Sequence, residues 1–225
     1  MLSRILYRIG QLLIHGYAHF LLKMDVRWKA VLPEGPVLFA ANHPSTTDPV
    51  FLHLLTRKPM SMMIISKVFS IPFLGRYMRG MRHIPVVAGK GEQALAEAGR
   101  RLGSGHSVAI FPEGLISPPG GKFNPPRSGV ARLALSSGVP VVPIGISLLD
   151  KACKRFPTNL EGEPDIITWY LKGPYAITIG KPMRFTGPSE DRELVRKVAF
   201  TIMKKIERLS AESARRIKAQ VAINP

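Results

Sequence analysis

The sequence predicts an α/β sandwich: a single domain with a mainly parallel mixed sheet flanked by helices, preceded by an N-terminal amphipathic helix. Three observations predict it. Short apolar runs of strand length, such as Val37-Leu38-Phe39-Ala40-Ala41 and Ser107-Val108-Ala109-Ile110, alternate with amphipathic helical stretches, the pattern of strands joined by crossover helices. The 225 residues are 45% hydrophobic and include 20 glycines and 20 prolines, enough for one substantial core with many tight connections. No Ser/Gly-rich or charge-rich linker divides the chain, so residues 25–225 read as one domain behind a helix at 1–24.

In the leading segment, Ile5, Ile9, Leu12, Leu13, Gly16 and Phe20 recur at helical spacing with Arg4, Arg8 and Lys23 and no acid. Arg8, Gln11, His15 and His19 interrupt it too often for a membrane span, and no small-residue cleavage pattern marks a signal peptide. A basic, apolar, acid-free helix suits the interface of an anionic bilayer; packing on the domain is its other use. The first buried strand then runs from Pro36 to Ala41. Asp48 before Pro49 reads as the N-cap of an apolar helix carrying Val50, Phe51, Leu54 and Leu55. Ser61–Ile65 reads as a strand, the stretch with Pro72, Gly75 and Gly80 as broken helix, and Ile84–Val87 as another strand.

Leu95, Ala98 and Leu102 put a helix over Glu92–Leu102, and the Phe111 strand follows. Residues 117–126, rich in proline and glycine, form an irregular loop. A helix capped by Ser128 ends at Gly138, before a strand from Val139 to Ile146. Asp165–Leu171 and Tyr175–Gly180 read as two β-runs joined near Gly173-Pro174, a late hairpin. Val195, Val198, Ile202, Ile206 and Leu209 mark one face of a long helix over Asp191–Lys218 that covers the sheet.

The net charge of +17 calls for an anionic partner: nucleic acid, an anionic membrane surface or a phosphorylated substrate. Between Asp48 and Glu92 there is no acid, while Arg57, Lys58, Lys67, Arg76, Arg79, Arg82 and Lys90 all fall there. The single cysteine, Cys153, cannot form an internal disulfide and lies near no motif.

Chemistry is concentrated in Asn42-His43-Pro44-Ser45-Thr46-Thr47-Asp48, directly after the first strand. A strand that stops at a histidine delivers an imidazole to the sheet rim. A carboxylate five positions on can fold back to take one ring N–H, leaving the other nitrogen as a base. A second motif, Phe111-Pro112-Glu113-Gly114, follows another strand-like run about seventy residues later.

The two spellings, N-H-x-x-x-x-D and F-P-E-G, resemble the glycerolipid acyltransferase family, the lysophospholipid or 1-acylglycerol-3-phosphate acyltransferases. The likeness extends in order from Pro36 to Ile146, taking in Lys67, Ile71-Pro72-Phe73-Leu74-Gly75 and Val139-Pro140-Val141-Val142-Pro143-Ile144. It implies an O-acyltransferase peripheral to the cytoplasmic face of a membrane. His43, oriented by Asp48, would take the proton of an acceptor hydroxyl as it attacks an acyl thioester, with no covalent intermediate. Acyl-CoA or acyl carrier protein would be the co-substrate, a lysolipid the acceptor, and no cofactor or metal would be needed. Phe111, Pro112, Glu113 and Gly114 would form the acceptor side, Glu113 holding acceptor hydroxyls or organising neighbouring donors. Amides at the start of the helix near Pro49 would face the oxyanion.

The chain departs from the family in two places. Leu115-Ile116 stand where Thr-Arg is common, and Val87-Ala88 follow Ile84-Pro85-Val86 where an arginine is expected. Both missing arginines serve the acceptor phosphate in the family. Either Lys67, Arg82, Lys122 or Arg127 replaces them, or the acceptor lacks a phosphate, as a neutral lipid or glycolipid does.

Other classes fit less well. No Gly-x-Ser-x-Gly elbow occurs, and Gly89-Lys90-Gly91 lacks the spacing of a phosphate loop. A nucleic-acid binder would explain the charge, but aromatic content is 8% and no recognition helix or zinc spacing is present. His53, His83 and His106 are scattered without ligand spacing, which argues against a metal-dependent phosphoesterase.

Overall fold

The structure, a computed structural model, describes residues 12, 14–56, 60–160 and 163–223. The leading half of the expected amphipathic helix, residues 1–11 and 13, and the cations Arg57 and Lys58 lie outside the described residues. The central element is β2 (Leu38–Ala41), buried at all four positions. Its side chains alternate between faces, so Leu38 and Ala40 enter one core while Phe39 and Ala41 enter the other.

In chain order, α1 (residues 14–20) and β1 (Asp25–Trp28) precede β2, and α2 (Asp48–Leu52) and β3 (Met60–Ile65) follow it. Next come α3 (Leu74–Gly80), β4 (Ile84–Val86), α4 (Gly91–Gly103), β5 (Ser107–Ile110), α5 (Gly129–Ser137) and β6 (Val141–Leu148). The chain finishes with β7 (Lys154–Leu160), β8 (Glu163–Trp169), β9 (Tyr175–Ile179) and α6 (Arg192–Ile223). The seven-stranded sheet has the order β1-β9-β6-β2-β5-β3-β4. Its pairings are parallel except β6 with β9, so β2, β3, β4, β5 and β6 all end on one edge.

Helices α4, α5 and α6 cover one face through Ala98, Leu102, Val130, Ala134, Val198, Ile202 and Ile206. The opposite face is filled by Leu22, Phe51, Leu52, Tyr170 and Tyr175. All five residues of the expected α6 stripe are buried. Where α6 crosses β6, a Cβ on Gly145 would stand 2.0 Å from Ser210 N, so only glycine admits the helix this close. Ser210 Oγ and Ser213 Oγ then donate to the carbonyls of Ile146 and Gly145 at 2.8 and 2.9 Å.

The late hairpin is a correction. Asp165–Leu171 does not pair with Tyr175–Gly180; β8 pairs with β7 in a separate two-stranded sheet. Instead β9, buried throughout, enters the main sheet between β6 and β1. β1 itself carried no sequence signal beyond four residues, and its Val26 only half-fills the edge of the core. The end of the leading segment packs on the domain: Ala18 and Leu22 are buried, and Leu22 O accepts from Tyr175 N at 3.0 Å. Leu12, Phe20 and Leu21 stay exposed. Among the described residues no helix is long and apolar enough to cross a membrane.

Two histidines that look scattered in sequence meet in the core. His53 and His83 bring their Nε2 atoms to 3.3 Å, and His83 Nδ1 accepts from Met62 N at 3.2 Å. With Nδ1 accepting, the proton of His83 sits on Nε2 and is donated to His53. Burial lowers His83 to about 3, with the charges of His53 and Arg101 adding to it, and lowers His53 to about 4. The ordinary value, 6.5, applies to the unfolded chain, which therefore takes up protons first as the pH falls. The stability these groups support is complete above that value and is lost as the pH drops toward 4 and 3. Melting temperatures are expected to fall steadily below neutrality, by the equivalent of roughly 2–4 kcal/mol near pH 5. A His83→Gln variant should show a flatter decline; an equally steep one would assign the acid sensitivity to other groups.

Candidate active site

His43 stands two residues past the end of β2, and Asn42 between them fixes that strand end. Asn42 Nδ2 donates to Ile146 O at 2.9 Å, while Ile146 N donates to Asn42 Oδ1 at 2.7 Å. The chain then turns into α2, and this turn brings Asp48 Oδ2 to 2.9 Å from His43 Nδ1. Asp48 is fully buried, and the same Oδ2 accepts from Ser45 N at 2.8 Å. Its other oxygen, Oδ1, accepts from Tyr175 Oη at 2.7 Å. Burial, with Asp48 beside it, pushes the Tyr175 phenol well above its ordinary range, so it remains a donor.

Three donors therefore converge on a carboxylate that has no access to water. The imidazole proton is thereby placed on Nδ1, and the lone pair on Nε2. Phe111 stacks on the ring at 3.9 Å between centroids and 13° between planes, which fixes the remaining rotation. The His43 side chain keeps 16% of its surface exposed, so the pair opens to the rim.

The capping expectation for Asp48 does not hold. The helix begins at Asp48, its N-cap position is Thr47, and no side chain caps it. The oxyanion expectation for this turn also changes. The amides of Ser45, Thr46, Thr47, Asp48 and Val50 already donate to Asp48 Oδ2, Thr168 O, Ser45 Oγ, Ser45 O and Thr47 O, and Pro49 has none. An oxyanion there would have to break bonds that hold the loop.

Glu113 is a brace between the two motifs rather than an exposed ligand. It is 1% exposed. Its Oε1 accepts from Ser117 Oγ at 2.5 Å and from His43 N at 3.3 Å, and its Oε2 from Asn124 N at 2.7 Å. Ser117 N in turn donates to His43 O at 2.8 Å. The role of organising neighbouring donors fits this geometry; direct contact with acceptor hydroxyls does not, because the carboxylate is sealed.

The expected cations divide between the two edges of the sheet. Arg127 lies against the second motif: Gly114 adopts φ +66, and a Cβ there would stand 2.5 Å from Arg127 Nε. Arg127 N also donates to Pro112 O at 2.8 Å. Lys122 lines a solvent-open cleft of about 400 Å³ with Asn42, Pro44, Ser117 and Ser147. Lys67, half-buried, follows β3 on the same edge, two strands from β2. Arg82 is a correction. It precedes β4, and its carbonyl accepts from Arg101, which also bonds Ser61 near the start of β3, so it belongs to the opposite edge.

Tyr175, Ser117 and Asn124 were not foreseen. Tyr175 is 127 residues from Asp48 in the chain, a separation no local pattern bridges. Ser117 and Asn124 sit in the proline-rich loop, where the sequence marks irregularity but not partners. The β7–β8 hairpin joins the site too, through Thr46 N to Thr168 O at 2.8 Å and Ser45 Oγ to the same carbonyl at 2.9 Å. Burial pushes the Cys153 thiol up to about 11, so it is no ready nucleophile.

An imidazole bonded to a buried carboxylate on the strand-end edge of an α/β sandwich is an arrangement that can act as a general base. Residues 23–147 match the Acyltransferase family model. The chain belongs to the acyltransferase family. It is 32% identical over 129 residues to a 1-acyl-sn-glycerol-3-phosphate acyltransferase of Pseudomonas aeruginosa, covering 55% of this chain and 49% of that protein. It is 32% identical over 147 residues to the chloroplastic 1-acyl-sn-glycerol-3-phosphate acyltransferase BAT2 of Brassica napus, covering 62% and 41%. The chain thus spans about half the length, or less, of these curated relatives. In fold it is similar to PlsC, the 1-acyl-sn-glycerophosphate acyltransferase of Thermotoga maritima, with a TM-score of 0.66 at 21% identity over 93% of this chain and 78% of that one.

Proposed function

We propose that this chain moves a fatty acyl group from an acyl thioester, carried by coenzyme A or acyl carrier protein, to a hydroxyl of a lysophospholipid or related glycerolipid. The observation that carries the reading is the His43 Nδ1 to Asp48 Oδ2 contact of 2.9 Å, with Asp48 fully buried. His43 Nε2 takes the hydroxyl proton as the oxygen attacks the thioester carbonyl. The tetrahedral intermediate expels the thiolate as the carbon–sulfur bond breaks, and the imidazolium returns its proton to sulfur. The transfer is direct, and it calls for no cofactor and no metal. Work takes place at the cytoplasmic face of a membrane, to which the chain is peripheral, drawn by its +17 charge and by residues 1–24.

In this reading Arg127 and Lys122 meet the acceptor phosphate, supported by Arg127 lying against Gly114 and Lys122 lining the cleft beside Asn42, with Lys67 further along the edge. Leu115 and Ile116, standing where the family has a threonine and an arginine, favour a second reading in which the acceptor carries no phosphate. A panel of acceptors separates the two. With labelled acyl-CoA, lysophosphatidate is expected to be acylated faster than monoacylglycerol or a glycolipid. Arg127→Ala should raise the KM for lysophosphatidate by about ten- to a hundredfold and leave monoacylglycerol unchanged, since one charged hydrogen-bonding group contributes roughly 1.5–3 kcal/mol. Preference for the neutral acceptor, with no effect of Arg127→Ala, would establish the second reading.

A further inference from the structure

We propose that the sheet edge beside His43 is a docking surface for an anionic lipid bilayer, with Phe73 and Leu74 entering the apolar zone and Arg76 meeting lipid phosphates. The inference rests on the lipid-acceptor reading above and names the surface that would present the lipid.

Strands β2, β5, β3 and β4 lie side by side and all end on this edge. After β3 the chain makes a 3-10 turn at Ser66–Ser70 and enters α3. A Cβ on Gly75 would stand 2.0 Å from Phe69 O, so the start of α3 is pressed onto that turn. At this start stands Phe73, 88% exposed, with φ +62 and ψ -51. Leu74 N donates to Pro72 O across it at 2.7 Å, a γ-turn of the rare strained form. A strained backbone that holds a phenyl ring clear of its own protein points to a use for the ring outside the protein.

Exposed apolar side chains continue along the edge. Leu115, five residues past the end of β5, is 58% exposed; exposed Ile65 ends β3 and exposed Val87 follows β4. From His43 to Ile65 is two strand spacings, ~10 Å. The whole interval between Asp48 and Glu92 is free of acid, and Glu92 itself pairs with Arg132 at 3.3 Å. Arg79 is held by Phe69 O at 2.9 Å, while Arg76 is exposed one turn beyond Phe73. Apolar side chains standing out singly among cations suit a fluid interface with anionic headgroups. An acidic protein partner would need a surface of matching shape.

The test uses the full chain and vesicles of phosphatidylcholine with or without phosphatidylglycerol. Wild type is expected to sediment with the mixed vesicles, less so as salt rises. Phe73→Gly relieves the turn, so the fold should survive it, and partition should fall about tenfold for loss of one buried phenyl ring. Arg76→Gln should weaken binding to the mixed vesicles and leave pure phosphatidylcholine unaffected. Phe73→Trp should keep binding and show fluorescence quenching by brominated acyl chains. All three variants should turn over a water-soluble, short-chain donor and acceptor pair like wild type.

Unchanged partition of Phe73→Gly, or an unquenched tryptophan at position 73, would overturn the proposal. So would variants that lose affinity for acyl carrier protein while keeping vesicle binding. Absence of turnover in the wild type would strike the acyl-transfer reading instead, and the vesicle results would still judge the surface.

Discussion

Replacement of His43 by alanine is expected to lower acyl transfer by about 10³- to 10⁴-fold, the range for loss of a general base that also returns the proton to the leaving group. No other described side chain replaces its Nε2 in the pair with Asp48. The fold should persist, because Asp48 keeps two donors, Ser45 N and Tyr175 Oη, after the imidazole is gone. The loss of one hydrogen bond and of the stacking on Phe111 should destabilise by about 1–3 kcal/mol. Release of labelled coenzyme A, measured beside thermal melting, checks both parts. A folded variant with wild-type turnover would remove His43 from the mechanism.

Asp48→Asn is expected to cost nearly as much, about 10³-fold or more, for a different reason. The aspartate oxygens accept from three donors, His43 Nδ1, Ser45 N and Tyr175 Oη. An asparagine offers one oxygen and an NH₂, so a donor must face a donor or His43 must change tautomer. If the imidazole changes, its proton moves to Nε2 and the base is lost. Tyr175→Phe is the graded version: it removes one of three donors, worth roughly 0.5–1.5 kcal/mol, and should slow transfer about two- to tenfold. A folded Asp48→Asn protein that melts earlier but turns over normally would reduce the carboxylate to a support of its loop.

The local parts of this molecule were legible. β2, β3, β5 and β6 stand out because strands buried on both faces read as continuous apolar runs, and α6 because its stripe repeats with the period of a helix. The motif residues His43, Asp48, Phe111 and Glu113 come together because each lies within a few residues of the ends of β2 and β5, which are neighbours in the sheet. Pairing between distant runs was not legible. Gly173-Pro174 resembles a turn between two strands, yet Gly173 N donates to Leu21 O, and Tyr175 N to Leu22 O. The leading segment therefore decides where β9 goes. Arg82 was misplaced because charge says nothing about which end of a strand its bearer occupies. For Glu113, the choice between holding acceptor hydroxyls and organising neighbouring donors was not legible, because its partners Ser117 and Asn124 lie in a loop with no periodicity.

The site draws on strands that lie beyond the region the family match covers. The family match ends at residue 147, but the third hydrogen bond to Asp48 comes from position 175, and the His43 loop leans on Thr168. A fragment cut behind the matched region would carry every signature residue and still lack its rear wall. Its aspartate would be wetted where a phenol now stands. Homologues that differ beyond that point can thus differ in rate while their motifs are letter-for-letter the same.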